Sequence, residues 1–274
     1  MGVLLERSGA YHVVAAAGRR ASHERVQRYL PFAEFMHPSK AAAQADVVIF
    51  AVPDDLIVQG CAAMAADEAF HEGHVVVHMS GSVGLDALEP AERAGADILS
   101  LHPLQSIPEV AVGIERLPGS PVAVTARREE GFVRGEELAR AVGAEPFRLP
   151  EEAKPVYHAA AVFCSNYLVV VEGLAEELFR LAGVEAPLEL MAPLARTSFE
   201  AVFELGPSAA LTGPASRGDV GTVTRTLNAL AYRAPDAARA YAVLAREAAR
   251  LAAASGRLGE DARRRLEEAI HEWR

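Results

Sequence analysis

The chain has 274 residues, 27 basic and 37 acidic side chains, a formal charge of −10, and 51% hydrophobic content. That length and composition support a real core in one large or two modest domains, and the acidic balance argues against general binding to nucleic-acid backbones. Cys61 and Cys164 lack disulfide or metal spacing and fit a reducing cytoplasm, while the apolar runs fall short of the roughly 20 residues that cross a bilayer, so no membrane partner is expected.

Residues 1–9 read as a helical segment, interrupted too early by Glu6, Arg7 and Ser8 for a signal peptide. Residues 12–17 (HVVAAA) read as a strand, 22–30 as a helix and 35–36 as a short apolar piece. A brief helix over 39–44 has Ser39 as its cap. Residues 46–52 (DVVIFAV) are almost continuously apolar, which signals a strand buried on both faces of a parallel sheet. Helix, strand, helix and strand then follow at 54–70, 75–79, 84–94 and 98–101, with a further strand at 121–124, a helix at 129–142 and an extended piece at 146–148. This alternation predicts a doubly wound, Rossmann-like α/β sheet. From residue 155 onward only Ala-, Leu-, Glu- and Arg-rich helical segments remain, near 155–182, 187–204, 218–231, 235–255 and 259–272. A linker at 149–154 therefore divides a sheet domain, 1–150, from an all-helical domain, 151–274.

A doubly wound nucleotide fold opens with a strand and a glycine-rich turn that leads into a helix. Here the first strand and that turn are not found, and residues 2–9 resemble the second half of the first helix. Three explanations stay open. The start lies about 15–20 residues too late, given the length of a strand, turn and half-helix; or the gene is truncated; or the fold is a different α/β arrangement.

Five stretches occur in order: DVVIFAVPDD at 46–55, HMSGS at 78–82, LHPLQSI at 101–107, AAAVFCSNYL at 159–168 and LTGPASRGD at 211–219. Together they resemble a bacterial family of Rossmann-like proteins with an all-helical C-terminal domain of unknown function. That family lies near the pyrroline-5-carboxylate reductases, ketopantoate reductases and deazaflavin-linked NADP oxidoreductases. The resemblance implies an NAD(P)-dependent oxidoreductase.

Several residues could carry that chemistry. Gly18, Arg19 and Arg20 follow the second expected strand, where arginines accommodate a 2′-phosphate, which favours NADP with NAD also admissible. The alternative is a solvated turn. Val52-Pro53-Asp54 and Ser80-Gly81-Ser82 end strands at the carboxyl edge, where cofactor is expected; a shaping role for Pro53 and a helix-capping role for the serines are the alternatives. His102 ends another strand there and suits general acid catalysis or hydrogen-bond donation, or else is structural. On the helix opening the second domain, Lys154 and His158 are four apart and share a face. Ser165 falls within about 20° of Lys154 and Asn166 about 120° away.

The apolar residues between them predict a buried helix, whose polar seam would meet substrate between the domains. The resemblance implies that this polar face lies beside the nicotinamide, with Lys154 protonating a developing alkoxide and Ser165 or Asn166 orienting the substrate. The alternatives are a solvated Lys154 and a satisfied core His158. Arg217, in a loop before a helix with Asp219 in its first turn, could clamp a carboxylate or be a surface arginine.

No metal site is expected: His74 and His78 lie about 13 Å apart along a strand. The expected function is a cytoplasmic NADP(H)-dependent reductase of a small carbonyl or imine substrate bearing a carboxylate, forming a homodimer through the helical domain. A non-catalytic NADP sensor and a dimeric scaffold are the rivals.

Overall fold

A computed structural model describes residues 1–273. The chain divides into two compact units, Met1–Asn166 and Tyr167–Arg274. The expected linker at 149–154 is instead a short 3-10 turn, Glu151–Ala153, that runs straight into the next helix. That helix stays with the sheet because Lys154, at its start, is anchored on the strand ends.

The first unit runs α1 (Gly2–Ser8), β1 (Ala15–Ala16), α2 (Arg20–Tyr29), β2 (Glu34–Phe35), α3 (Pro38–Ala42), β3 (Val47–Phe50), α4 (Ile57–Ala66), β4 (Val75–His78), α5 (Glu89–Arg93), β5 (Asp97–Pro103), α6 (Val110–Arg116), β6 (Pro121–Ala126), α7 (Glu129–Ala141), β7 (Glu145–Arg148) and α8 (Lys154–Cys164). Strands β3 to β7 form one sheet in sequence order. β3, β4 and β5 are parallel, β6 is antiparallel to β5, and β7 is parallel to β6. Every residue of β4 is buried. Its side chains alternate between two cores: Val76 packs with Ile57, Cys61 and Leu88, while Val75 and Val77 pack with Leu138 and Ala139. Helices on both faces explain the unbroken apolar runs read at 46–52 and 75–79.

β1 and β2 form a separate parallel pair. The Glu34 and Met36 N–H groups donate to Val14 O and Ala16 O, so those residues face β2. The Val75 and Met79 N–H groups donate to Asp46 O and Phe50 O, so those residues face β4. The alternating ladder therefore turns the backbone groups of Ala15, Val47 and Ile49 toward the gap between the two sheets. A cavity of about 400 Å³ lies there, lined by Ala15, Ala16, Val47 and Ile49 among others.

Three local expectations change. The strand at 12–17 shortens to Ala15–Ala16. Ser39 does not cap α3, because His37 precedes that helix and Ser39 Oγ donates to the Asp67 carboxylate at 2.5 Å. The helix at 54–70 opens with a 3-10 turn, Asp54–Leu56.

The second unit holds α9 (Asn166–Leu181), α10 (Pro187–Leu205), α11 (Pro207–Ala210), α12 (Val220–Arg233), α13 (Pro235–Ala254) and α14 (Glu260–Ile270). Ala238, Ala242, Ala245, Ala249 and Ala252 make a small-residue stripe along α13 at helical spacing, buried with Val223, Leu227, Leu266 and Ile270. Helix α9 has no buried residue, and α10 buries only Pro187 and Met191. Within Glu151–Leu181 an 18-residue span has mean hydropathy 1.3, long and apolar enough to cross a membrane by length and composition only.

Candidate functional site

The adjacent parallel strands β3, β4 and β5 end side by side, and the turns that follow them build a polar cluster. After β3, Pro53 is extended (φ −53°, ψ 145°) and hands the chain to the turn carrying Asp54. The Asp54 carboxylate accepts from Ser80 Oγ at 2.7 Å and Ser82 Oγ at 3.0 Å. Ser80 Oγ also accepts the Ser82 and Val83 N–H groups at 3.2 and 3.0 Å. Both hydroxyls thus lock the turn after β4 to the turn after β3.

Ser100 and His102 are two apart on β5 and so share one face of the strand. Lys154, the first residue of α8, is 1% exposed. Its Nζ donates to Ser80 O at 2.9 Å and Ser100 Oγ at 2.8 Å. Burial lowers its pKa to about 8, with Glu151 and Asp54 opposing the shift. Lys154 is therefore not a solvated first-turn lysine. Two of its three protons are committed to protein oxygens, and it pins α8 to the ends of β4 and β5.

One turn later α8 brings up Tyr157 and His158. Tyr157 Oη and His102 Nδ1 share a hydrogen bond of 2.9 Å, with the rings perpendicular at 5.5 Å. Phe147 holds the Tyr157 ring from another side at 6.0 Å. The His158 ring lies 5.9 Å from that of His102. Gly81 faces both: a Cβ there would sit 2.8 Å from His102 Nε2 and 2.8 Å from His158 Nδ1. His158 Nδ1 is buried without a hydrogen-bond partner among the described residues. Burial, then His158 and then Lys154, depress the His102 pKa to about 4 against the pull of Asp54. His78, fully buried behind them, accepts the Ser80 N–H at 3.2 Å through Nδ1 and is likewise depressed to about 4, chiefly by burial. Both imidazoles are neutral at physiological pH.

Residues 1–103 match the family model of a Rossmann-like domain, and residues 120–248 match that of a domain of unknown function, DUF2520. The chain joins a Rossmann-like domain to a DUF2520 region. No curated protein matches it by sequence. Among solved structures it is similar to a Bacteroides fragilis protein assigned as an NADP oxidoreductase: 23% identity, 91% of this chain and 92% of that one covered, TM-score 0.75. It is also similar to an imine reductase from Myxococcus stipitatus in complex with NADP+ (14% identity, 91% and 90% covered, TM-score 0.64) and to an imine reductase from Pseudomonas sp. (17%, 99% and 96%, TM-score 0.60). At these identities the shared property is the fold.

Of the remaining expected site residues, Gly18, Arg19 and Arg20 stand at the start of α2 and Ser165 and Asn166 at the end of α8. In the Rossmann-like domain, a Cβ on Gly18 would be 2.9 Å from Ser22 Cβ, so the chain passes close to the start of α2. Arg19 caps that helix through its carbonyl, which accepts from the Ser22 and His23 N–H groups at 2.8 and 3.2 Å. Arg19 and Arg20 are exposed, and neither is in an ion pair among the described residues. Helix α8 breaks at Ser165 (φ −125°, ψ −63°). Ser165 Oγ lies 3.0 Å from Ala161 O and 2.9 Å from Asn166 Oδ1.

The expected stripe from Lys154 to Ser165 on one buried helix is thus corrected twice: the helix ends there, and Ala159, Ala160 and Phe163 are exposed. Arg217, in the DUF2520 region, sits exposed in a 3-10 turn, Ala215–Arg217. Asp219 is the cap of α12 rather than part of its first turn, accepting the Thr222 N–H at 3.0 Å.

Sequence reasoning missed Tyr157, Ser100 and His78. Ser100 was accessible from the two-residue period of β5, and Tyr157 from its place beside His158. His78 was weighed only as a metal ligand beside His74, and its place opening the HMSGS stretch was the signal that pointed to the strand end.

Proposed function

We propose that the chain is an NADP(H)-dependent reductase of a small carbonyl or imine substrate bearing a carboxylate, with NAD as the weaker cofactor. The observation that carries this reading is the convergence of His102 and His158 on Gly81, with Tyr157 bonded to His102, at the carboxyl edge of three parallel strands, where open α/β sheets bind ligands. The residues present fit two parts of a dinucleotide. Gly81, which has no side chain, and the Val52-Pro53-Asp54 turn stand at the strand ends expected to meet the nicotinamide end. Exposed Arg19 and Arg20 after β1 suit the 2′-phosphate. When bound, the nicotinamide supplies or accepts hydride. Similar solved proteins include a reductive aminase from Aspergillus terreus in complex with NADPH and ethyl-5-oxohexanoate.

In this reading His102, through Nε2, hydrogen-bonds the substrate atom that gains charge. His158 completes that wall, and Lys154 holds α8 in place and contributes a nearby positive charge. Ser165 and Asn166, at the end of α8, orient substrate. The protein acts in the cytoplasm as a homodimer. The apolar side chains left open on α9 and α10, such as Val169, Leu194 and Phe203, support the dimer.

The test is steady-state NADPH oxidation with 2-oxo acids and cyclic imines, for the wild type and for His102→Gln/His158→Gln. Turnover falls by about 100-fold or more with NADPH affinity retained. Unchanged turnover would reject the catalytic assignment. A second reading, a non-catalytic NADP sensor, draws on the commitment of the Lys154 ammonium to Ser80 O and Ser100 Oγ; it predicts NADPH binding with no turnover in the wild type.

A further inference from the structure

His102 has two ring nitrogens with different surroundings. Nδ1 is 2.9 Å from Tyr157 Oη, whereas Nε2 is turned to the bare Cα of Gly81. A neutral imidazole carries one proton, and the bond made by one nitrogen decides what the other presents. A phenol is a good donor but a poor acceptor, because its oxygen lone pair is shared with the ring. Imidazole Nδ1 is by contrast a strong acceptor. The Tyr157 ring is held between Phe147 and His102, and burial raises its pKa, which keeps the hydroxyl proton in place.

We propose that Tyr157 is a positioning residue, which donates its hydroxyl to His102 Nδ1 and so fixes His102 as a neutral Nε2–H donor facing Gly81. The groups around His102 are compatible with the neutral form. From α8 come the Lys154 ammonium, His158 and Tyr157; from the turn after β3 comes Asp54, whose carboxylate already accepts from Ser80 and Ser82.

The consequence for substrate rests on the reductase reading above. An Nε2–H donor needs an acceptor with a lone pair. It therefore takes a carbonyl oxygen or the nitrogen of a neutral imine, on either of which negative charge grows during hydride addition. It does not suit a preformed iminium, whose nitrogen lone pair is already used. Of the imine's two protonation states, the site selects the neutral base.

The deciding measurement is the ¹⁵N spectrum of the histidine side chains in the whole protein across pH 4–8, with His102 identified by its loss in His102→Gln. The proposal requires the neutral Nε2–H tautomer in the wild type. In Tyr157→Phe, loss of a hydrogen bond to the neutral ring raises the His102 pKa by about half a unit to one unit and mixes the two tautomers. An Nδ1–H tautomer in the wild type overturns the proposal, as does a His102 pKa that falls or stays put in the variant. The wild-type tautomer is decisive even if Tyr157→Phe folds poorly. None of these readouts needs cofactor, so failure to bind NADPH would reject the reductase reading and leave the tautomer result standing on its own.

Discussion

Gly81 has two imidazole nitrogens within 2.8 Å of where a Cβ would stand. Neither ring moves freely, since His102 is tied to Tyr157 and both rings are packed against α8 and the sheet. Gly81→Ala therefore costs about 1–3 kcal/mol of overpacking, read as a lower urea midpoint with unchanged slope. Lys154 is held just as firmly. Replacing it with Met removes one donor each from the Ser100 hydroxyl and the Ser80 carbonyl, which stay bonded to each other at 3.1 Å, and about 0.5–1.5 kcal/mol is lost in the same assay.

The histidines set a pH window. His78 and His102 have folded pKa values of about 4 against an ordinary 6.5. Between those values the unfolded chain binds more protons than the folded one, so stability falls as pH drops from 6.5 toward 4. His78→Leu lowers stability at pH 7, where Ser80 N–H loses its acceptor, and flattens the decline between pH 6.5 and 4. An unchanged slope in that variant would show that another group drives the acid loss.

At the scale of elements, the legible parts were those whose pattern reflects only local surroundings. The apolar runs ending at Phe50 and His78 declared a sheet covered on both faces, and the segments read at 187–204, 218–231, 235–255 and 259–272 match α10, α12, α13 and α14 closely, whereas 155–182 divides into α8 and α9. The antiparallel β6 was not legible, because strand direction depends on the path of the connecting chain rather than on side-chain period. Helix α8 was misread for a related reason. Its alanines and Phe163 suggested burial, yet what covers an apolar face is not encoded in its own periodicity.

Of the site, His102, Lys154 and His158 were legible from strand-end and helix-face position. The bond from Tyr157 to His102 was not, since it joins residues 55 apart. The open side chains of α9 and α10 carry their own prediction: sedimentation velocity of the wild type reports a dimer, and Val169→Glu with Phe203→Glu shifts it to monomer. A monomeric wild type at micromolar concentration would remove the second copy as their cover.

At the scale of the whole molecule, a Rossmann-like domain precedes a DUF2520 region, and in the proposed function the turns after β1, β3 and β4 face the cofactor. With a formal charge of −10 the protein has no general attraction for phosphates. Any preference for a 2′-phosphate must then come from local cations, and Arg19 and Arg20 are exposed without ion-pair partners among the described residues. The most direct measurement is calorimetric titration with NADPH and NADH, on the wild type and on Arg19→Ala/Arg20→Ala. The account predicts saturable NADPH binding, about tenfold or more tighter than NADH, with the difference abolished in the double variant. Binding of neither nucleotide, or equal binding of both by the wild type, would contradict it.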